Sequence, residues 1–148
     1  MSPTFHGRDV FAPAAAHLAA GSPVERLGAP VDPATLVRLI VPAARVKPGE
    51  IATEVLGVDR FGNVQLSAKG GDLRAAGLEA MPTIEIQSDD VVALACPAAT
   101  FADVEPGSLG LVVDSAGRLA LVVNRGSAAA DLGLDSGDAI TLRAPTGK

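Results

Sequence analysis

The chain has 148 residues, 48% of them apolar and 20% charged, and a formal net charge of −5. That length suits one ordinary domain, able to bury roughly two-thirds of the surface its unfolded chain exposes. Acids and bases are interspersed, with no block of Lys or Arg long enough to face a phosphate backbone, so nucleic acid is not an expected partner. No run approaches the ~18 apolar residues that cross a bilayer, and the start, Met1 to Arg8, lacks the apolar stretch of a signal peptide. The expectation is a soluble, cytoplasmic chain without a membrane partner. The apolar content rests on Ala, Val and Leu, with four Phe and neither Trp nor Tyr.

From Val10 to Ala20 the residues Val10, Phe11, Ala14, Ala15 and Leu18 recur at helical spacing, and Gly21 is placed to end the helix. Pro13 belongs in a first turn, so either Asp9 caps the helix or it starts slightly later. His6, just ahead, reads as a tail residue or as a ring that polarises a water or orients a carboxylate. Arg8 and Asp9 read as a solvated pair, and His17 falls on the polar side. No second helix of that length follows, so this one looks like the end of something longer.

Pro23, Pro30 and Pro33, with Gly, Ser and scattered charge between them, give residues 21 to 33 the composition of a connector. Beyond it, short apolar runs predict strands at Leu36–Val41, Ile51–Val58, Val64–Leu66, Thr83–Ile86, Val91–Cys96, Leu109–Val113, Leu119–Val123 and Ala139–Leu142. Turn chemistry separates them at Lys47–Glu50, Gln87–Asp90, Pro106–Gly107, Asp114–Gly117 and Ser136–Asp138. The spacing predicts a mainly β fold, an antiparallel barrel or sandwich, in which Leu111–Val113 and Leu119–Val123 form a hairpin. Two helical turns interrupt it: Asp72 is expected to cap Leu73–Ala76 before Gly77, and Ser127 to cap Ala128–Leu132 before Gly133. Cys96, in an apolar run, is expected to be a small buried hydrophobe.

The stretch Val58-Asp59-Arg60-Phe61-Gly62-Asn63-Val64 interrupts the apolar pattern with a carboxylate, a ring, a glycine and an amide. Read as a turn it is ordinary, because Asp and Asn bond their own backbone and Gly accepts positive φ. Read as a site, it offers a flat ring beside donors and acceptors. No Cys pair, HExxH or EF-hand pattern provides a metal set, and no glycine motif cradles phosphate. Gly126-Ser127-Ala128-Ala129 reads as a helix start and lacks the glycine spacing of a nucleophile elbow.

Four stretches read together resemble one family: Pro3-Thr4-Phe5-His6-Gly7-Arg8-Asp9-Val10-Phe11-Ala12-Pro13, Asp59-Arg60-Phe61-Gly62-Asn63, Thr100-Phe101-Ala102-Asp103-Val104, and Asn124-Arg125-Gly126-Ser127-Ala128-Ala129. They are similar to the S-adenosylmethionine hydroxide adenosyltransferases, or S-adenosylmethionine hydrolases, whose relatives include fluorinase and chlorinase. The resemblance covers only the C-terminal part of the family's length. It implies that residues 1–30 carry the last helix of an otherwise absent α/β N-terminal domain, 31–44 a linker, and 45–148 a small antiparallel β-barrel-like C-terminal domain.

The reaction it implies is displacement of methionine from the ribose C5′ of S-adenosylmethionine, by hydroxide to give adenosine or by halide in the halogenating relatives. No cofactor is implied, since S-adenosylmethionine is itself the substrate. His6 matches the histidine of an Asp-Arg-His group around the attacking water, the other two members lying in the absent domain. Fluorinase-type members carry tyrosine in place of His6, which favours hydroxide. Asp59 matches the acid for the methionine ammonium, Ser115 a serine near the methionine carboxylate, Phe61 and Phe101 rings around the adenine, Asn63 a bridging amide, and Asn124-Arg125-Gly126 a backbone stretch reading the adenine edge. Ala116 stands where fluorinase has an arginine for that carboxylate. The family forms trimers with sites shared between subunits, so this chain alone is expected to be inactive. The alternatives are a halide-using relative and a non-catalytic β-barrel binding module.

Overall fold

The computed structural model describes residues 3–89 and 91–145, and the chain divides into two compact units, Met1–Leu39 and Ile40–Lys148. In the first, a π turn over Gly7–Phe11 leads directly into α1, Ala12–Ala19, with the Ala12 N–H bonded to the Gly7 carbonyl. Pro13 explains the wide turn: it has no N–H to donate, and its ring would crowd the carbonyl of Asp9 one turn earlier. The helical segment therefore starts before the expected position, and Asp9 lies within it, paired to Arg8 at 2.6 Å, instead of capping it. Neither the π turn nor α1 buries a residue.

The expected strand at Leu36–Val41 does not form. The run follows a 3₁₀ turn at Pro33–Thr35, precedes Pro42, and has no strand partner among the described residues. Val37 is 100% and Ile40 91% exposed. Apolar composition supplies β propensity, but a strand exists only where a neighbour takes its backbone hydrogen bonds.

The second unit is a barrel of β1 (Arg45–Lys47), β2 (Glu50–Val58), β3 (Val64–Lys69), β4 (Ile84–Gln87), β5 (Val92–Pro97), β6 (Leu109–Val113), β7 (Arg118–Val123) and β8 (Ala139–Arg143). Seven strands close in the order β2-β3-β7-β6-β5-β4-β8 and back to β2, with β1 added beside β2. Closure removes the free edges that a sheet otherwise exposes. All neighbours are antiparallel except β5 and β6, which run parallel with Cys96 opposite Gly110. The expected antiparallel barrel therefore holds with one exception, and the β6–β7 hairpin holds throughout, Leu111 facing Leu121.

Alternation along the strands fills the interior. Ile51 and Val55, Val64, Leu66 and Ala68, Ile84 and Ile86, Leu119 and Leu121, and Ile140 and Leu142 all point inward and join one buried cluster. The continuous apolar runs of β6 and β7 have a second cause. Val112, Ala120 and Val122 face outward and are buried there beneath Val104. Cys96 is not buried as expected: Ala95 takes the inward position on β5, which turns Cys96 outward.

Of the short helices, α2 spans Gly70–Ala75 and α3 spans Ala128–Leu132. Asp72 is not the cap of α2 but sits three residues inside it, accepting from the Lys69 N–H at 2.7 Å. Ser127 caps α3 as expected, accepting from Ala130 N–H at 3.1 Å, and Gly133 ends it at φ +63°. Asp90, the last residue of the expected turn at Gln87, lies outside the described residues, as does Met1 at the start. Among the described residues no helix is long and apolar enough to cross a membrane.

Candidate functional site

The site begins with the β2–β3 connection. Asp59 Oδ1 accepts from the N–H groups of Phe61 (2.8 Å) and Asn63 (3.0 Å), and Oδ2 accepts from Asn63 Nδ2 at 2.8 Å. Gly62 supplies φ +82°, which lets the Asp59 and Asn63 backbones close the turn. The turn rests on the segment after β7, where Ala129 N–H bonds the Gly62 carbonyl at 3.0 Å. Partial desolvation works to raise the Asp59 pKa, but the Asn63 amide and the backbone donors outweigh it and hold the carboxyl below its ordinary value.

That turn stands at one end of a cavity of about 690 Å³. Its floor is a row across four strands: Gly57 on β2 pairs with Gln65 on β3, Gln65 with Ala120 on β7, and Ala120 with Val112 on β6. Because side chains alternate, this row faces away from the barrel core. Gly57 and Ala120, being small, leave room above the sheet. Thr100 and Phe101 flank it from the loop after β5, and Asp114 and Ser115 close it at the β6–β7 turn. Asp103 fixes the Phe101 loop, accepting from the Thr100 N–H and hydroxyl at 2.8 Å each. The size falls within the range of small-molecule sites.

Of the residues expected at a site, Asp59, Asn63, Phe101 and Ser115 line this one cavity. Phe61 belongs to the same turn but is exposed, with the Arg60 guanidinium 4.6 Å over its ring. Asn124, Arg125 and Gly126 form the neighbouring turn that leads to Ser127. Asn124 Nδ2 donates to the Val104 carbonyl at 2.6 Å, so its amide is structural, while Arg125 holds φ +63° and is exposed. His6 belongs to the first unit, at the start of its helical segment, and is exposed there.

Three polar lining residues were not named as site residues from the sequence: Gln65, Thr100 and Asp114. Gln65 Nε2 donates to Asp114 Oδ2 across the floor. Asp114 Oδ1 accepts from Ala116 N–H (2.8 Å) and Arg118 N–H (2.9 Å). Desolvation presses its pKa upward, but those donors, Gln65 and the nearby Arg118 prevail and lower it. Gln65 carried a signal: it is a lone amide in an apolar strand, two residues from Asn63 and so on the same face.

The family model for the S-adenosylmethionine hydroxide adenosyltransferase C-terminal domain matches residues 53–141, and that for the N-terminal domain matches residues 1–28. An (R)-S-adenosyl-L-methionine hydrolase of Salinispora tropica is 45% identical over 97% of this chain and 52% of its own length, and one of Thermus thermophilus is 41% identical over 94% and 49%. A fluorinase of Actinopolyspora mzabensis is 36% identical over 95% and 48%. The crystal structure of a conserved protein from Thermotoga maritima superposes with a TM-score of 0.74 at 34% identity, over 97% of this chain and 54% of that one. The chain thus spans about half the length of the relatives it matches. With the C-terminal domain model covering most of the barrel unit, the chain belongs to the S-adenosylmethionine hydroxide adenosyltransferase family.

Proposed function

We propose that the barrel unit holds S-adenosylmethionine, or its product adenosine, in the cavity between the Asp59 and Asp114 turns. The observation that carries this reading is that Asp59, Asn63, Phe101 and Ser115, drawn from three separate segments, line one cavity. A carboxylate kept ionised suits the methionine ammonium, and the Phe101 ring suits a purine face. Ser115 offers a hydroxyl to the methionine carboxylate. Asn63 already gives its Nδ2 to Asp59, so the amide offers its Oδ1 to a ligand donor. Phe61, in the Asp59 turn, and the backbone of Asn124, Arg125 and Gly126, in the neighbouring turn, are the groups we assign to the adenine.

The reaction we propose for the complete enzyme is hydrolysis. A water oxygen bonds to C5′, the C5′–S bond breaks with its electron pair passing to sulfur, and adenosine, methionine and one proton leave. His6 helps aim that water, together with an Asp and an Arg from the rest of the N-terminal domain. The sulfonium is a good leaving group, so alignment of the nucleophile is the main task. Hydrolase-named relatives at 41–46% identity, against 31–36% for those named fluorinase, favour water over halide. We further propose that the working site forms within a homotrimer, that the 148-residue chain alone binds weakly without turnover, and that it works in the cytoplasm, a reducing compartment that suits the exposed thiol of Cys96.

Titration of the chain with adenosine and with S-adenosylhomocysteine tests the pocket. Both are expected to bind, and Asp59→Asn to weaken S-adenosylhomocysteine about tenfold while sparing adenosine. Absence of adenosine binding overturns the reading and leaves the non-catalytic module. Supplying the N-terminal half of a hydrolase relative and following S-adenosylmethionine is expected to release adenosine equally in chloride and in halide-free buffer. A 5′-chlorinated nucleoside would instead mark the halogenating alternative.

A further inference from the structure

The cavity has an arrangement that the family resemblance does not assign. Among the described residues it is lined by two carboxylates, Asp59 and Asp114, and by no Lys or Arg. They stand at opposite ends of one floor, and each holds a side-chain amide by its nitrogen: Asp59 that of Asn63, Asp114 that of Gln65. A carboxylate without its proton only accepts hydrogen bonds, so each must take the NH₂ side of its amide. The consequence for Gln65 is that Oε1, which accepts no hydrogen bond from the described residues, is the atom left for a ligand. Both ends of the cavity therefore present negative charge or negative dipole ends.

Building on the adenosyl pocket proposed above, we infer that Gln65 is a specificity-determining residue that offers its Oε1 to the sulfonium centre of the ligand, and that Asp114 is the positioning residue that fixes Gln65 in that orientation. S-adenosylmethionine carries two positive centres, the ammonium and the sulfonium, and the cavity offers the Asp59 carboxylate and the Gln65 Oε1 to match them. The ammonium belongs to Asp59, the carboxylate on the same carbon reaches toward Ser115, and the sulfonium lies over Gln65 Oε1 between them. Attraction of this kind falls with distance and grows as water is excluded, and an amide dipole held by a carboxylate needs no reorganisation to exert it. The pairing has a use. Displacement at C5′ turns the sulfonium into a neutral thioether, so the attraction disappears with the reaction and the methionine product is released more readily than the substrate.

The test compares S-adenosylmethionine with S-adenosylhomocysteine, which keeps the ammonium, carboxylate and nucleoside but has a neutral sulfur. Each is titrated by nuclear magnetic resonance against the unaltered 148-residue chain and against Gln65→Leu, Asp114→Asn and Asp59→Asn. The unaltered chain is expected to prefer the sulfonium by about fivefold or more. Gln65→Leu and Asp114→Asn are expected to bring the two affinities together, mainly by weakening S-adenosylmethionine. Asp59→Asn is expected to weaken both and keep their ratio. Gln65 faces away from the core, so its replacement leaves the barrel packing intact; Asp114 also ties its turn, which makes Gln65→Leu the deciding variant. A preference that survives Gln65→Leu, or equal binding of both ligands by the unaltered chain, overturns the inference and leaves the adenosyl pocket standing. Failure of the unaltered chain to bind either ligand overturns the pocket and the inference together.

Discussion

Gly62 lies so close to Ser127 that a Cβ on it would stand 2.0 Å from the Ser127 Oγ and 2.9 Å from its Cα. The turn that carries Asp59 and Asn63 is thereby seated on the cap of α3, and the close seat requires glycine twice, for room and for φ +82°. Gly62→Ala is expected to cost about 1–3 kcal/mol through backbone strain, with more from the clash. It should also displace Asp59, so adenosyl-ligand affinity falls along with the urea midpoint. Unchanged stability and unchanged affinity would contradict this account of the turn.

A second prediction concerns the β2–β3 ladder. Thr53 Oγ1 and Ser67 Oγ lie 2.9 Å apart, and Thr53 Oγ1 also accepts from the Ala68 N–H at 2.9 Å, all buried. These hydroxyls take up backbone groups where the β3–β7 register shifts between Gln65 and Lys69. Thr53→Val keeps the shape but leaves a buried N–H without an acceptor, for an expected loss of about 1–3 kcal/mol by urea unfolding. The slope of the transition should stay the same.

Glu85 on β4 faces Arg143 on β8, with Arg143 Nε 2.7 Å from Glu85 Oε1 and the glutamate only 6% exposed. Arg143→Met takes away the opposing charge from a buried carboxylate and is expected to destabilise by about 3–5 kcal/mol. Replacing both residues with apolar ones should recover most of that loss. If the double replacement is no better than the single one, the pair contributes more than charge compensation.

The two cavity carboxylates set a pH dependence. Desolvation would raise both pKa values, but the donors to Asp59 and Asp114 lower them overall. A group with a depressed folded pKa adds stability that is complete above its unfolded value, near pH ~4, and is lost as the pH falls through the folded value. Thermal midpoints should therefore be level from neutrality down to about pH 5 and fall at lower pH. Asp59→Asn should flatten part of that fall, and an unchanged acid limb would count against the hydrogen-bonded turn.

Much of this was legible in the sequence, because turns and caps are local. The Asp59 to Asn63 turn, the Ser127 cap with Gly133, and the β6–β7 hairpin each draw on residues a few positions apart, and their chemistry is written in the chain. Short apolar runs between turns likewise announced β3, β4 and β8. Only the tertiary structure decided what depends on a distant neighbour. Leu36–Val41 has strand composition and no partner; Cys96 faces outward because barrel closure chose Ala95 for the interior. The floor of the cavity exists because β3, β7 and β6 lie side by side, which brings Gln65 to Asp114 across 49 positions of sequence. Residue type and spacing govern contacts within a turn or along one strand, whereas strand order governs which side chains meet across a sheet, and no local pattern encodes that order.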